Sequence, residues 1–273
     1  MYEFSRRTPL LLNVTCPSGS VEVFAEEREN VEAEVTPMDS SRQDREAADN
    51  TSVLLIGDEL TIEPPRGSSY LRSSVRLKIE VRIPIDSSAK VDVASAWLKC
   101  LGRYRDLNVT TASGEVEAGD VTGSARIRTS SGDTRIGDIS GKVTARSSSA
   151  DISVRTVSGS STVITSSGKV TIASLGNDLK YKSRSGNLEI GSVSSGVLTG
   201  QSSSGDITVG VDRDRSVWLD AKSQTGQIQT NFESSAESQR NAEVVLRLRT
   251  ASGSIRVHET RSGARFDTVD PEN

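Results

Sequence analysis

The sequence predicts an all-β protein built around a parallel β-solenoid, similar to a β-helix or β-roll, with about 18 residues in each coil. Three observations predict this fold. Glycines recur every nine residues between about Thr111 and Gly210. Apolar and polar residues alternate between those glycines. Aromatic residues make up only 4% of the chain, which suits thin layers of β-branched residues better than a large globular core.

The repeat glycines keep the period closely, with Ala150 and Asn177 taking two of the glycine positions. We expect them to form turns in which φ is positive and a side chain would crowd the next coil. The structural turn glycines are Gly114, Gly123, Gly132, Gly141, Gly159, Gly168, Gly186 and, where the period loosens, Gly205.

Two columns of residues, two and four positions after each glycine position, are mostly apolar and should point inward from short strands. The residue seven positions after each glycine position divides the nine-residue units into two alternating sets. It is apolar in one set (Val121, Ile139, Val157, Leu175, Val193) and polar in the other (Ser130, Ser148, Ser166, Arg184). One coil therefore contains two strands, an apolar corner and a Thr/Ser-Ser-Gly turn, and coils should stack in parallel register about 4.8 Å apart.

The regions around the repeat are predicted to be irregular β-structure that caps it. We divide the chain into a β-rich capping region continuous with the solenoid (1–110), regular coils (111–210), irregular C-terminal coils (211–258) and a flexible tail (259–273). Near the start, alternation predicts strands with a turn at 17–19. Residues 37–51 should form an exposed loop with a helical turn, and Gly57-Asp58 should join a hairpin.

Composition excludes several classes of function. The chain has 33 Lys+Arg and 37 Asp+Glu, a net charge of −4, so no bulk attraction to nucleic acid or an anionic membrane is expected. The apolar run at 9–12 ends at Asn13, short of the ~7–15 residues of a signal core, and no stretch approaches the ~18–20 of a membrane span. We expect a cytoplasmic protein that associates with the envelope, if at all, through a partner.

The repeat resembles a known family. The pattern at 129–141 and the ending Leu-Arg-Thr-Ala-Ser-Gly-Ser-Ile-Arg-Val at 248–257 are similar to the bacterial putative-adhesin family of β-strand repeat domains. The likeness runs from the strands at 10–23 to Val257. It implies a β-solenoid and, for many relatives, a place at or near the cell envelope.

No residue set predicts catalysis, a metal or a cofactor. The turns carry single acids (Glu115, Asp133, Asp151, Asp206) interrupted by Lys169, unlike calcium-binding β-rolls. Asp120 with Asp138, and Asp133 with Asp151, stack one coil apart, but Asp favours such turns without any catalytic role. His258 has no partner in the sequence. Cys16 and Cys100 are expected to be two buried thiols, with a single disulfide as the alternative.

Charge is sorted between the two strands of each coil. The outward positions of the second strand are basic: Arg126, Arg128, Lys142, Arg146, Lys180 and Lys182. This face is either solvated or docks an anionic partner. Base stacking is not expected, because no outward aromatic residue interleaves these positions.

Three functions stay open at this level. The first is a non-catalytic interaction or scaffold module with protein partners. The second is a module that binds a polyanion, either cell-wall polymer or nucleic acid, through the basic face. The third is a filament built by end-to-end stacking.

Overall fold

The predicted fold class is confirmed by the computed structural model, which describes residues 1–65, 75–231 and 241–260. Strands one coil apart pair in parallel and in register, as Ile152 does with Val170 and Val170 with Leu188. The chain divides into two compact units, Met1–Gly141 and Lys142–Asn273. Of the predicted flexible tail, 259–260 belong to a strand, and the residues from 261 fall outside the described ranges.

The N-terminal unit contains the helix and the first eleven strands. They are β1 (Tyr2–Ser5), β2 (Leu11–Glu26), β3 (Asn30–Pro37), α1 (Arg42–Asp49), β4 (Ser52–Ile56), β5 (Glu59–Glu63), β6 (Leu77–Pro84), β7 (Ser88–Tyr104), β8 (Leu107–Thr111), β9 (Val116–Val121), β10 (Ala125–Thr129) and β11 (Thr134–Ile139). Sheet A has the order β4, β5, first part of β2, first part of β7, β8, β10. Sheet B has the order β1, β3, β6, second part of β2, second part of β7, β9, β11.

The C-terminal unit contains the remaining described strands. They are β12 (Val143–Ser147), β13 (Ile152–Val157), β14 (Ser161–Thr165), β15 (Val170–Leu175), β16 (Leu179–Lys182), β17 (Leu188–Val193), β18 (Gly196–Ser202), β19 (Ile207–Asp212), β20 (Val217–Ser223), β21 (Ile228–Thr230), β22 (Val244–Thr250) and β23 (Ile255–Thr260). Sheet C has the order β12, β14, β16, β18, β22, β20, and sheet D the order β13, β15, β17, β19, β23, β21. The last coil in the sequence therefore lies between the two coils that precede it.

Two local predictions in the N-terminal region are wrong. Residues 17–19 do not form a turn between strands, because β2 continues through them and pairs along its length with β7. Gly19, with φ +117°, provides the bend that takes β2 from sheet A to sheet B. The loop at 37–51 contains α1, a complete helix rather than a turn. Ser41 caps it by accepting a hydrogen bond from Asp44 N at 3.0 Å, and Ala47 and Ala48 are buried.

The core consists of the predicted inward columns. Every residue predicted to point inward two or four positions after a glycine position, from Val116 to Ile190, is buried. The corner residues from Val121 to Val193 are buried as well, whereas Ser130, Ser148, Ser166 and Arg184 are exposed. Period-two alternation within strands and the eighteen-residue repeat between coils were thus sufficient to predict the core.

One of the two predicted reasons for the repeat glycines is confirmed and the other is not. Of the turn glycines named above, only Gly168 has a positive φ, +83°. The predicted crowding between coils is present: a Cβ on Gly132 would overlap the carbonyl oxygen of Gly114, and one on Gly186 would overlap that of Gly168. Close approach of two backbones, rather than a left-handed conformation, therefore selects glycine here.

A hydroxyl group holds several of these turns. In each of them the Thr or Ser three positions earlier accepts a hydrogen bond from the backbone nitrogen of the glycine position. The nitrogen-to-oxygen distance is 2.9 Å from Gly114 to Thr111 and 2.9 Å from Ala150 to Ser147. It is 3.1 Å from Gly253 to Thr250. These turns are therefore closed by a hydrogen bond within the turn itself.

We expect Gly186→Ala to destabilise the protein, because the new methyl group would overlap the Gly168 carbonyl. The free energy of unfolding should fall by about 1–3 kcal/mol, since Ala150 shows that such a turn can relax around one methyl group. Gly176→Ala is the matched control, because its new Cβ would lie 3.7 Å from its nearest neighbours. Urea denaturation measures both, and an equal loss in the two variants would contradict the close-approach explanation.

Both thiols are free and buried, as predicted. Burial disfavours the thiolate and raises the pKa of Cys16 and of Cys100 from 9.0 to about 12. We expect neither thiol to react with iodoacetamide at pH 8 until the protein is unfolded, as measured by intact mass. Because the unfolded chain loses these protons first, the thiols should also lower stability as pH rises from about 9 to about 12. Rapid alkylation of the folded protein would contradict this burial.

Candidate anion-binding face

The outward surface of sheet C carries seven cationic side chains, which we call the basic face. They comprise four predicted residues, Lys142, Arg146, Lys180 and Lys182, and three others, Lys222, Arg247 and Arg249. Inward residues on these strands alternate with them and are buried, so the fold fixes the direction in which the cations point.

Register arranges the cations in rows across the strands. In one row Lys180 is followed by Thr199 and then Arg247. In the next row Lys182 is followed by Gln201 and Arg249. Because neighbouring strands are about 4.8 Å apart, cations in a row that are separated by one neutral residue stand about 10 Å apart.

Carboxylates do not balance this charge. Among the outward positions on and next to the described strands of sheet C, the acids are Asp178, Asp220 and Glu243, and Glu243 pairs with Arg215 at 2.7 Å. Asp178 accepts a backbone hydrogen bond from Val197 at 2.8 Å, and Asp220 forms an ion pair with Arg249. That ion pair lowers the pKa of Asp220 through the hydrogen bond from Arg249. Within the described part of the chain, Arg146, Lys180, Lys182 and Arg247 make no ion pair.

The other sheets are different. On sheet B, Lys99 pairs with Glu117 at 3.4 Å and Arg82 with Glu80 at 3.0 Å. Arg82 also lies over the ring of Phe24, 4.5 Å from its centroid. Beside sheet D, Lys169 pairs with Glu189 at 2.5 Å. Some cations of sheets B and D are thus paired with neighbouring acids, which is not the case for Arg146, Lys180 and Lys182 of sheet C within the described ranges.

An apolar row borders the cations. Val197 is aligned with Val245, and Val245 with Trp218, on the outward side of sheet C. Trp218 is half-buried, and Ile164, which lies between Arg146 and Lys182 in one row, is 37% exposed. Trp218 lies on β20, separated from β16 by β18 and β22, so it does not interleave the predicted basic positions. A mixed cationic and apolar surface with Trp and Arg is typical of protein interfaces.

Arg126 and Arg128, the other two predicted cations, lie on β10 in the N-terminal unit. Both are exposed on the outward side of sheet A, where they align with Asn108 and Thr110. Neither forms an ion pair within the described ranges. The four predicted cations that the structure brings onto one sheet are those of the C-terminal unit.

The stacked acids have structural partners. Asp120 Oδ1 accepts a hydrogen bond from Asp138 N at 2.9 Å, and Asp151 Oδ1 accepts one from Lys169 N at 2.6 Å. Asp206 does the same for Ser254 N at 2.7 Å. These carboxylates connect one coil to the backbone of the next, which agrees with turn chemistry rather than with a pair of catalytic acids.

The described residues contain neither a metal-ligand cluster nor a membrane-spanning helix. Residues 1–65, 75–231 and 241–260 contain no cluster of three or more His, Cys, Asp or Glu side chains placed to hold an ion. His258 lies half-buried on β23, and its Nδ1 has no hydrogen-bond partner among the described residues. In the same ranges, no helix is long and apolar enough to cross a membrane.

Sequence reasoning missed three cations of the basic face because the nine-residue period stops before them. They are Lys222, Arg247 and Arg249. Counting from the last regular glycine gives no register for β20 or β22. The alternation Val-Val-Leu-Arg-Leu-Arg in 244–249 identifies outward arginines but cannot say which strand lies beside them.

Comparison with known proteins identifies the family. Residues 11–258 match the family model described as Toastrack DUF4097. A search of curated proteins found no match. The chain is similar to the structure of a putative adhesin from Bacteroides fragilis, with 8% identity, a TM-score of 0.46, and 95% and 96% of the two chains covered.

Two further solved structures are similar over comparable lengths. A putative adhesin from Parabacteroides merdae has 10% identity and a TM-score of 0.40, with 95% of each chain covered. A putative cell adhesion protein from Clostridium sporogenes has 12% identity and a TM-score of 0.21, with 95% of this chain and 99% of that chain covered. The family match confirms the resemblance drawn from the repeat motif, and because it covers most of the sequence, the chain belongs to the Toastrack DUF4097 family.

Proposed function

We propose that this chain is a non-catalytic interaction module that binds an acidic partner protein through the basic face of sheet C. The observation that carries the proposal is the set of exposed cations Arg146, Lys180 and Lys182, which lie in register on one sheet and make no ion pair within the described ranges. Exposed cations without partners attract acidic surfaces and accelerate encounter with them.

The neighbouring apolar residues favour a protein over a simple polymer. Trp218 and Val197, both half-buried, offer a surface that a folded acidic partner can cover, with Trp218 as the anchor, whereas Val245 between them is buried. An extended polyanion would use the cations alone. The absence of catalysis is part of the proposal, and it is supported by the structural hydrogen bonds of Asp120, Asp151 and Asp206. A cytoplasmic location stays a prediction from the sequence.

The second candidate is binding of a polyanionic polymer by the same face. It is favoured by the rows themselves, because cations about 10 Å apart on successive coils form a line that an extended chain could follow. The two candidates predict different ligands, an acidic protein or a polyanionic polymer. Only the acidic protein is expected to need the apolar row for binding.

We expect the double variant Lys180→Glu/Lys182→Glu to weaken partner binding at least about tenfold, because it places two acids at the centre of the basic face. Binding is measured by capture of proteins from native lysate and envelope fractions at low and high salt, then quantified with the purified partner. The control is Lys169→Glu/Arg256→Glu, which changes net charge equally but lies on and beside sheet D.

A partner protein retained by wild type and control but lost by the double variant supports the proposal. In that case Trp218→Ala should also weaken binding. Retention on immobilised heparin with salt release, and without dependence on Trp218, would replace the protein partner by a polymer. Equal binding by both double variants would remove the basic face from the function.

A further inference from the structure

The end of the C-terminal unit formed by β20 and β21 leaves part of its core uncovered. Ile228 on β21 is 44% exposed, whereas its register partner Ile255 on β23 is fully buried. Leu219 on β20 is only half-buried, whereas its partner Leu246 on β22 is 0% exposed. The inward residues of the outermost coil thus lack the cover that every aligned neighbour has.

The backbone edge of β20 is also unpaired. Val244 N donates to Ser216 O at 3.1 Å, so the groups of Ser216, and of alternate residues after it, point toward β22. The N–H and C=O groups of Val217, Leu219 and Ala221 therefore point away from β22. Across the described ranges, β22 is the strand that pairs along β20, and no strand pairs with its other edge.

The N-terminal unit shows how this fold covers such an edge. The coil formed by β5 and β6 is bordered by the antiparallel strands β4 and β3, and α1 packs against β3 and β6. Leu60, Ile62 and Leu77 of that coil are all 0% exposed. Natural sheets usually protect edges in this way, and terminal coils of solenoids carry caps.

We infer that β20 is an assembly edge: it pairs antiparallel with β20 of a second copy of this chain, with Ala221 of each copy on the two-fold axis. This pairing makes a closed dimer. It goes beyond the proposed function and does not depend on it.

Charge on β20 selects that register. With the two Ala221 residues opposite each other, Asp220 of each copy lies opposite Lys222 of the other, at the non-hydrogen-bonded positions where side chains are closest. An axis through Asp220 would instead oppose two carboxylates. An axis through Leu219 would oppose Asp220 and Trp218. Only the Ala221 register therefore pairs both charges of the strand.

The same register uses the free backbone groups. Ala221 presents its N–H and C=O at the outer edge, so the two copies form a hydrogen-bonded pair there, and Leu219 pairs in the same way with Ser223. Asp220 is ionised for this contact, because the hydrogen bond from Arg249 lowers its pKa. The second copy also shields Ile228 from water.

The experiment is sedimentation of the full chain from about 1 to about 200 μM, the range expected for an interface of less than standard size. Wild type should pass from monomer to dimer and stop there. Hydrogen exchange at 217–223 should slow as the dimer forms. A monomer throughout the range, or growth into open polymers, would overturn the inference.

Two pairs of variants test the contact. Ile228→Lys should weaken the dimer at least about tenfold, whereas Ile164→Lys, the same change at a similarly exposed isoleucine within the stack, should not. Lys222→Glu should weaken it by opposing two acids, whereas Lys180→Glu should not. Each variant is checked for an unchanged thermal midpoint. Equal effects in variant and control would overturn the assignment, as would a dimer that forms only after residues 261–273 are removed.

Discussion

The structure depends on how closely the turns of successive coils approach each other. At repeat glycines such as Gly132 and Gly186 the backbone lies against the carbonyl of the turn before, and at Gly114 and Gly253 a Thr hydroxyl three residues earlier holds the turn in shape. This contact tolerates little change in position, so it fixes the register between coils. Fixed register aligns inward residues into a continuous aliphatic core and outward residues into rows. The surface chemistry of the sheets therefore follows from a constraint at the turns.

Rows of like residues create an electrostatic difficulty that the sheets solve in two ways. Sheet B places opposite charges beside each other, as with Lys99 and Glu117. Sheet C instead places a neutral strand between some of its cations, as with Thr199 between Lys180 and Arg247, whereas Arg249 lies beside Lys222 and pairs with Asp220. About 10 Å of separation exceeds the ~8 Å screening length at physiological ionic strength, so mutual repulsion is small. The positive charge can persist without destabilising the fold and stays available to a partner.

Sequence reasoning was accurate wherever the period held. From Val116 to Val193 the buried columns, the corner residues and the exposed serines were all predictable, because each follows from counting. It failed where the position of a strand in the sheet depends on which strand pairs with it. Nothing in the alternation of 217–223 and 244–250 says which strand lies outermost, since both present the same inward pattern. The basic face was accordingly found only up to Lys182, and Trp218 was not assigned to it. Glycine positions and the crowding between coils were predictable, whereas the expected positive φ was found only at Gly168 among the named turn glycines.

The displaced order of the last coils has a consequence for biosynthesis. Because β20 pairs with β22 and not with β18, the segment 217–230 has no native neighbour when it leaves the ribosome. It must wait until 244–260 has been translated and has added to β18 and β19. Vectorial growth, in which each new coil folds onto the one before it, therefore stops after β19. The final steps of folding are a delayed insertion, during which newly made strands stay accessible to chaperones and to other chains.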